Sequence, residues 1–207
     1  SPLVESMLGY SVEEWLQTPG FAESIILVED REKATSEIEA ILDSGKEGVL
    51  RFRWVAKDGR VVWVETHLAV MHDETGGIVG LRGVTLDISE RMQAEEVKNN
   101  LVAIVESSDD AILSKTLDGT ITTWNAGAER MYGYPASEIV GQHVTTLVPA
   151  DLKKEVARIL EQIQRGESVD HLETVRVTKD GRRIDVSLTI SPIRDEHMVI
   201  VGGTTIA

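Results

Sequence analysis

Val177-Thr178-Lys179-Asp180-Gly181-Arg182 is the stretch on which the fold of this chain turns, because Val55-Ala56-Lys57-Asp58-Gly59-Arg60 says nearly the same thing 122 residues earlier. An Asp-Gly pair tolerates the positive φ of a tight turn, and flanking Lys and Arg keep the strand ends in water, so each copy marks a β-hairpin and not a charged site. Outward from the turns, Met131-Tyr132-Gly133-Tyr134 with Glu138 repeats Met7-Leu8-Gly9-Tyr10 with Glu14 at a spacing of 124, and Gly203-Thr204-Thr205-Ile206 answers Gly83-Val84-Thr85-Leu86 at 120. The order is kept and the spacing drifts as small loop-length differences require, so two copies of one domain follow each other. Ser1 falls opposite Asn125. The first copy therefore has no counterpart to Asp109 to Trp124, a stretch that reads as two strands, and is expected to lack its opening hairpin, as a piece of a longer protein would.

In the second copy, Ala111 to Lys115 and Thr120 to Trp124 flank Asp118-Gly119, a further hairpin signal. Asn125 is placed to cap a short helix from Ala126 to Met131, and Ser137 to Val140 gives another helical turn. Leu152, Val156, Ile159, Leu160 and Ile163 recur at spacings of three and four between Asp151 and Gly166, the stripe of an amphipathic helix. Strands at His171 to Val177, Arg183 to Ile193 and Met198 to Ile206 follow. The first copy repeats this latter part, with a long helix marked by Ala34, Ile38, Ile41 and Leu42, then strands at Val49 to Ala56, Val61 to Met71 and Ile78 to Leu86. Two strands, several helices and three strands make an α+β domain, one antiparallel sheet of about five strands with helices on one face. Ile88, Met92, Val97, Leu101, Ile104 and Val105 lie along a helix between the copies. It either relays a twist and pairs with its twin in a parallel dimer, or packs across its own sheet.

The chain has 207 residues, a formal net charge of -14 and no cysteine. That charge repels nucleic acid and anionic membranes. The absence of cysteine excludes disulfides, thiolate metal sites and cysteine nucleophiles, and fits a reducing compartment. No apolar run reaches membrane-spanning length, so direct membrane contact within the chain is not expected. No Ser/His/Asp order, glycine-rich phosphate loop or metal-ligand spacing appears, so no catalytic and no metal-binding residue is assigned. Glu29, Asp30 and Glu32 near a helix start are read as favouring the helix dipole.

Trp124-Asn125 with Ala128-Glu129, the two Gly-Tyr-x-x-x-Glu elements, the two Lys-Asp-Gly turns, Ser191-Pro192-Ile193-Arg194-Asp195 and Asp87-Ile88-Ser89-Glu90-Arg91 make both copies resemble PAS domains with the associated C-terminal strand motif. The first copy departs from that pattern at Leu27-Val28, where many relatives carry His-Pro. The resemblance implies two PAS folds in tandem: residues 1–88 the first domain, 89–108 a linker helix, 109–207 the second. It implies a cytoplasmic sensory region of a bacterial or archaeal signalling protein, relaying a ligand- or partner-induced change to a fused downstream output domain. That output is most often a sensor histidine kinase of a two-component phosphorelay, with diguanylate cyclases and phosphodiesterases as alternatives. The region itself is expected to be no enzyme and to form a homodimer. Two other readings are a protein-interaction scaffold with empty pockets and a haem or flavin redox or gas sensor.

A flavin adduct of the light-oxygen-voltage kind needs a cysteine, which is absent. Haem-binding relatives use a histidine on the long helix or the strand after it. The helix from Asp151 to Arg165 has none, and His67, His72, His143, His171 and His197 are read as structural or solvated, so no cofactor is assigned. For a small organic ligand the pocket would lie between the long helix and the inner sheet face. Candidate lining residues are Trp124, Leu160, Arg176, Val186, Leu188 and Ile190, with Phe52 and Trp54 in the first copy, bulky enough to make that copy a packed structural module. Arg176 sits at the register of Trp54 and so points inward, where it would clamp an anion bidentately. Apolarity argues the reverse, putting Val175 and Val177 in the core and Arg176 in water. Trp124 either stacks on a planar cofactor or is core.

Overall fold

The computed structural model describes residues 3–207; Ser1 and Pro2, where the expected first domain starts, lie outside the described residues. The chain divides into two compact units, one ending at Lys98 and the other running from Asn99 to Ala207.

The first unit holds α1 (Leu3–Leu8), α2 (Val12–Gln17), α3 (Phe21–Ser24), α4 (Val28–Ser44), β1 (Gly48–Val55), β2 (Val61–His72), β3 (Ile78–Asp87) and the start of α5 (Ser89–Ser107). Its sheet is antiparallel in the order β1-β2-β3. Among the described residues, no opening hairpin flanks β3. Alternation sends Leu50, Phe52 and Trp54 inward against Val62 and Val64, all nearly fully buried. Tyr10, Phe21, Trp15, Trp54 and Phe52 then contact one another edge-on at ring separations of 5.0 to 5.6 Å, and the Trp54 indole donates to Ala22 O at 2.9 Å. α4 ends where Gly45 takes φ +65 and returns its N–H to Ile41 O.

Asp30 does more than favour a dipole. Its Oδ2 accepts from the backbone N and Nε of Arg53 at 2.9 and 2.8 Å, tying the first turn of α4 to β1. The Arg53 guanidinium holds the carboxyl below its usual range. A depressed carboxylate contributes above its unfolded pKa and loses that contribution as pH falls through the folded one. Asp30→Asn is therefore expected to weaken the first unit by about 1 kcal/mol at neutral pH. The gap to the parent should close below about pH 4 in urea titrations.

The second unit continues from α5 into β4 (Ile112–Thr116), β5 (Ile121–Trp124), α6 (Ala126–Tyr132), α7 (Ala136–Ile139), 3₁₀ turns at Val144–Leu147 and Ala150–Leu152, α8 (Lys153–Gln164), β6 (Val169–Val177), β7 (Arg183–Arg194) and β8 (Ile200–Ile206). Five antiparallel strands run in the order β5-β4-β8-β7-β6. Val156, Ile159 and Ile163 are the buried face of α8, with Leu152 and Leu160 half-buried beside them. Three ends differ from expectation by two residues. Asp151 lies in a 3₁₀ turn before the α-helix, β6 starts at Val169 and not at His171, and Met198 takes φ +62 in the turn before β8, which starts two residues later. At β8, Gly202 lets the β4 backbone come close: a Cβ there would sit 2.3 Å from Lys115 O.

The repeated motifs meet in space. In the first unit Lys57 N donates to Leu8 O and Lys57 Nζ bonds Glu14 at 2.7 Å; in the second Lys179 N donates to Tyr132 O and Lys179 Nζ bonds Glu138. Each ammonium also lies about 6 Å from a tyrosine ring, Tyr10 or Tyr134. Such exposed pairs add little energy. The backbone bonds dock the short helices on the turn, which is why Gly-Tyr-x-x-x-Glu and Lys-Asp-Gly recur together.

Candidate functional site

The inner sheet face of the second unit closes on a cavity of about 30 Å³ beneath α8 and the Val144–Leu147 turn. Leu113, Leu147, Val148, Val156, Ile159, Leu188 and Ile190 give it apolar walls, while Lys115, Tyr132, Arg176 and Thr205 bring polar atoms to it. All four polar residues are at least 95 % buried.

β6 places Arg176 inward, opposite Ile184 on β7, so register and not apolarity decides where this side chain goes. Val175 and Val177, expected in the core on apolar grounds, are only half-buried. The guanidinium is held by Glu155 Oε1 at 3.0 Å, Thr174 Oγ1 at 3.1 Å and Val175 O at 2.9 Å. Glu155, in the first turn of α8, also accepts from Thr174 Oγ1. A buried arginine is tolerable here because a carboxylate and two further acceptors replace its water.

Lys115 has no such compensation. β4 alternates Leu113 and Lys115 on its inner face, and the ammonium has one hydrogen-bond partner among the described residues, Thr205 Oγ1 on β8 at 2.6 Å. Burial and then the Arg176 charge push its pKa down to about 8. Burial pushes the Tyr132 phenol up to about 12.

Of the candidate residues, Arg176, Leu188 and Ile190 line this cavity together. Trp124 lies in the neighbouring core cluster, tilted against Tyr132 at 5.4 Å and donating to Tyr134 O at 3.0 Å. Val186 packs with the cluster around Ile159, and Leu160 is half-buried on α8; neither is among the lining residues. Phe52 and Trp54 belong to the first unit, where they border a separate groove of about 330 Å³ with Trp15, Thr66 and Leu81. Sequence reasoning missed Lys115, Tyr132, Glu155 and Thr205. The period-2 alternation of Ala111, Leu113 and Lys115 was the available signal for the first of them. Among the described residues, no group of three or more His, Asp or Glu side chains is arranged to hold a metal ion. His143 instead caps the Val144–Leu147 turn through Nδ1.

Asn125 anchors the helix that enters this unit. Its Nδ2 donates to Val105 O at the end of α5 and to Asp110 O, and its Oδ1 accepts from Ile112 N of β4 and Ala128 N of α6, all within 2.8 to 3.0 Å. Glu106 of α5 caps Ala126 N, and Arg130 donates to Ser108 O. In the first unit α5 begins against β2, where Ser89 Oγ accepts from Trp63 N and Ile88 N donates to Trp63 O. Along α5, Val97, Leu101 and Ile104 are each more than half exposed.

A family model described as PAS fold matches residues 99–206, and a second, also PAS fold, matches residues 1–85. The chain is 29 % identical over 125 residues to the sensor protein FixL of Bradyrhizobium diazoefficiens, a match covering 58 % of this chain and 25 % of that protein. It is 27 % identical over 205 residues to the oxygen sensor protein DosP of Escherichia coli, covering 94 % and 24 %. It is 28 % identical over 120 residues to the signal transduction histidine-protein kinase AtoS of Escherichia coli, covering 58 % and 19 %. The chain thus spans a quarter or less of these relatives. Among solved structures, the PAS domain of a Colwellia psychrerythraea protein is 27 % identical with a TM-score of 0.49, covering 53 % of this chain and 93 % of that one.

Proposed function

The chain belongs to the PAS-fold family, and from that membership we propose that it is the sensory region of a signal-transduction protein in which the second unit takes the input and α5, anchored to that unit, couples it to pairing with a second copy. The proposed layout is a first PAS domain at 1–88, a linker helix at 89–108 and a second PAS domain at 109–207. The output is a fused histidine kinase, as in AtoS, and this region has no catalytic activity of its own. Its setting is the cytoplasm; among the described residues, no helix is long and apolar enough to cross a membrane.

The observation that carries this reading is the Asn125 network. One side chain binds the end of α5, the first residue of β4 and the first turn of α6. β4 also carries Lys115 into the cavity and α6 carries Tyr132. A change of charge or occupancy in the cavity therefore acts on two elements that share one anchor with the helix. The aromatic packing of Phe52 and Trp54 supports a structural role for the first unit. The exposed Val97, Leu101 and Ile104 support pairing of α5 with its twin in a homodimer.

Asn125→Ala tests the anchor. It strands two backbone donors and frees the α5 terminus, at an expected cost of about 2 kcal/mol. Amides in the last two turns of α5 should exchange at least tenfold faster while those of β1 and β2 are unchanged; unaltered exchange in α5 would remove the anchor from the relay. Native mass spectrometry of the freshly purified chain should report a dimer, and a monomer at micromolar concentration would refute the pairing.

A further inference from the structure

We propose that the cavity of the second unit is a binding site for a compact monovalent anion, from a halide to nitrate or formate in size, held by Lys115, Tyr132 and Arg176. This deepens the sensory reading above and rests on it, naming the chemical class of the signal.

The first observation is a surplus of donors. The Lys115 ammonium has three N–H groups and one partner, Thr205 Oγ1. Tyr132 is 2 % exposed, yet its hydroxyl makes no hydrogen bond among the described residues. No fully enclosed side-chain N or O atom among them lacks a partner, so that hydroxyl must border open space, and the cavity it lines is that space.

The second is charge. Glu155 is the acid paired with Arg176, and no acidic side chain lines the cavity. Lys115, Arg176 and Glu155 therefore sum to one excess positive charge behind apolar walls, where an uncompensated ion is costly. Water would satisfy the spare donors and leave the charge; one monovalent anion satisfies both, whereas a divalent one overshoots. The third is size. About 30 Å³ holds one or two water-sized species, far below the roughly 300 Å³ from which organic-ligand pockets start.

The site also has a built-in pH dependence. The groups facing Lys115 are Arg176 from β6 with Glu155 of α8 behind it, Tyr132 from α6 and Thr205 from β8. Tyr132 stays neutral to about 12, and Lys115 titrates at about 8, near neutrality. Anion affinity should be level below that pH and fall about tenfold per unit above it.

The test uses the full chain in sodium gluconate, a bulky anion, exchanged at constant ionic strength for chloride, nitrate, formate or succinate. Amide signals of Lys115 and Thr205, the melting temperature and hydrogen exchange in α5 are followed together. Saturable shifts with chloride, nitrate or formate are expected, lost in Lys115→Met, weakened several-fold in Tyr132→Phe and at least tenfold weaker at pH 9.5. The inference is overturned by an equal response in Lys115→Met, by no response to any anion, or by saturation with succinate alone. That last outcome leaves the sensory reading standing with a different ligand. Saturable binding of a small anion with unchanged exchange in α5 does the opposite: it keeps the site and removes the relay.

Discussion

Gly202→Ala is expected to lower the stability of the second unit by about 4 kcal/mol, among the largest effects a single methyl produces. The added Cβ would lie 2.3 Å from Lys115 O and 3.6 Å from Thr116 Cα. Both neighbours are backbone, so no rotamer change relieves the clash and β8 must part from β4. These strands pair Lys115 with Gly203 and Thr116 with Gly202 in the middle of the five-stranded sheet. Parting them exposes ladder hydrogen bonds and opens the wall formed by Leu113, Lys115 and Thr205. Gly181→Ala is the contrasting case. A Cβ there meets nothing within 4 Å, and the cost is confined to its φ of +82, about 1 kcal/mol. Urea titrations read at amide signals of β7 should separate the two variants clearly; equal midpoints would contradict the close-approach account.

Lys115→Met is expected to act in the other direction, stabilising the second unit by about 2 kcal/mol at pH 7. In the unfolded chain this lysine titrates near 10.4; in the fold it titrates at about 8. Below pH 8 it is protonated in both states and the fold bears the whole cost of the buried ammonium, about 3 kcal/mol. Losing the Thr205 hydrogen bond returns about 1 kcal/mol of that gain. Between pH 8 and about 10 the unfolded chain binds more protons than the folded one, so the parent gains stability as pH rises. Tyr132 then reverses the trend. Held to about 12 in the fold and near 10 when unfolded, it withdraws stability between those values. The parent should show a maximum near pH 10, and Lys115→Met should be flat from pH 8 to 10. A parent profile that declines steadily from pH 7 would show that Lys115 is not a buried cation.

The architecture was legible because it was written twice in turn chemistry. The Lys-Asp-Gly-Arg hairpins, the Asn125 cap, the α8 stripe and the order of three closing strands are local signals, and each leads to the element observed. The missing counterpart of residues 109–124 is likewise mirrored by three strands in one unit and five in the other. The site was only half legible. For Arg176 two rules disagreed, burial of the apolar Val175 and Val177 against register with Trp54. Register prevailed because hairpin pairing fixes every side chain of a strand at once, and Glu155, a helix away, makes the inward position tolerable. That partner is invisible along β6. Lys115 was passed over because a charged residue near a strand end ordinarily reads as solvated, and what encloses it is β8, about ninety residues later in the chain.

The carboxamide of Asn125 carries no ionisable proton. Across the range in which Lys115 changes charge, the grip on α5, β4 and α6 keeps the same donors and the same acceptors. In the proposed relay, detection and fastening fall to different functional groups on adjoining stretches of backbone. Alkalinisation past pH 8 therefore removes charge from Lys115 on β4 while leaving the Asn125 hydrogen bonds chemically unchanged.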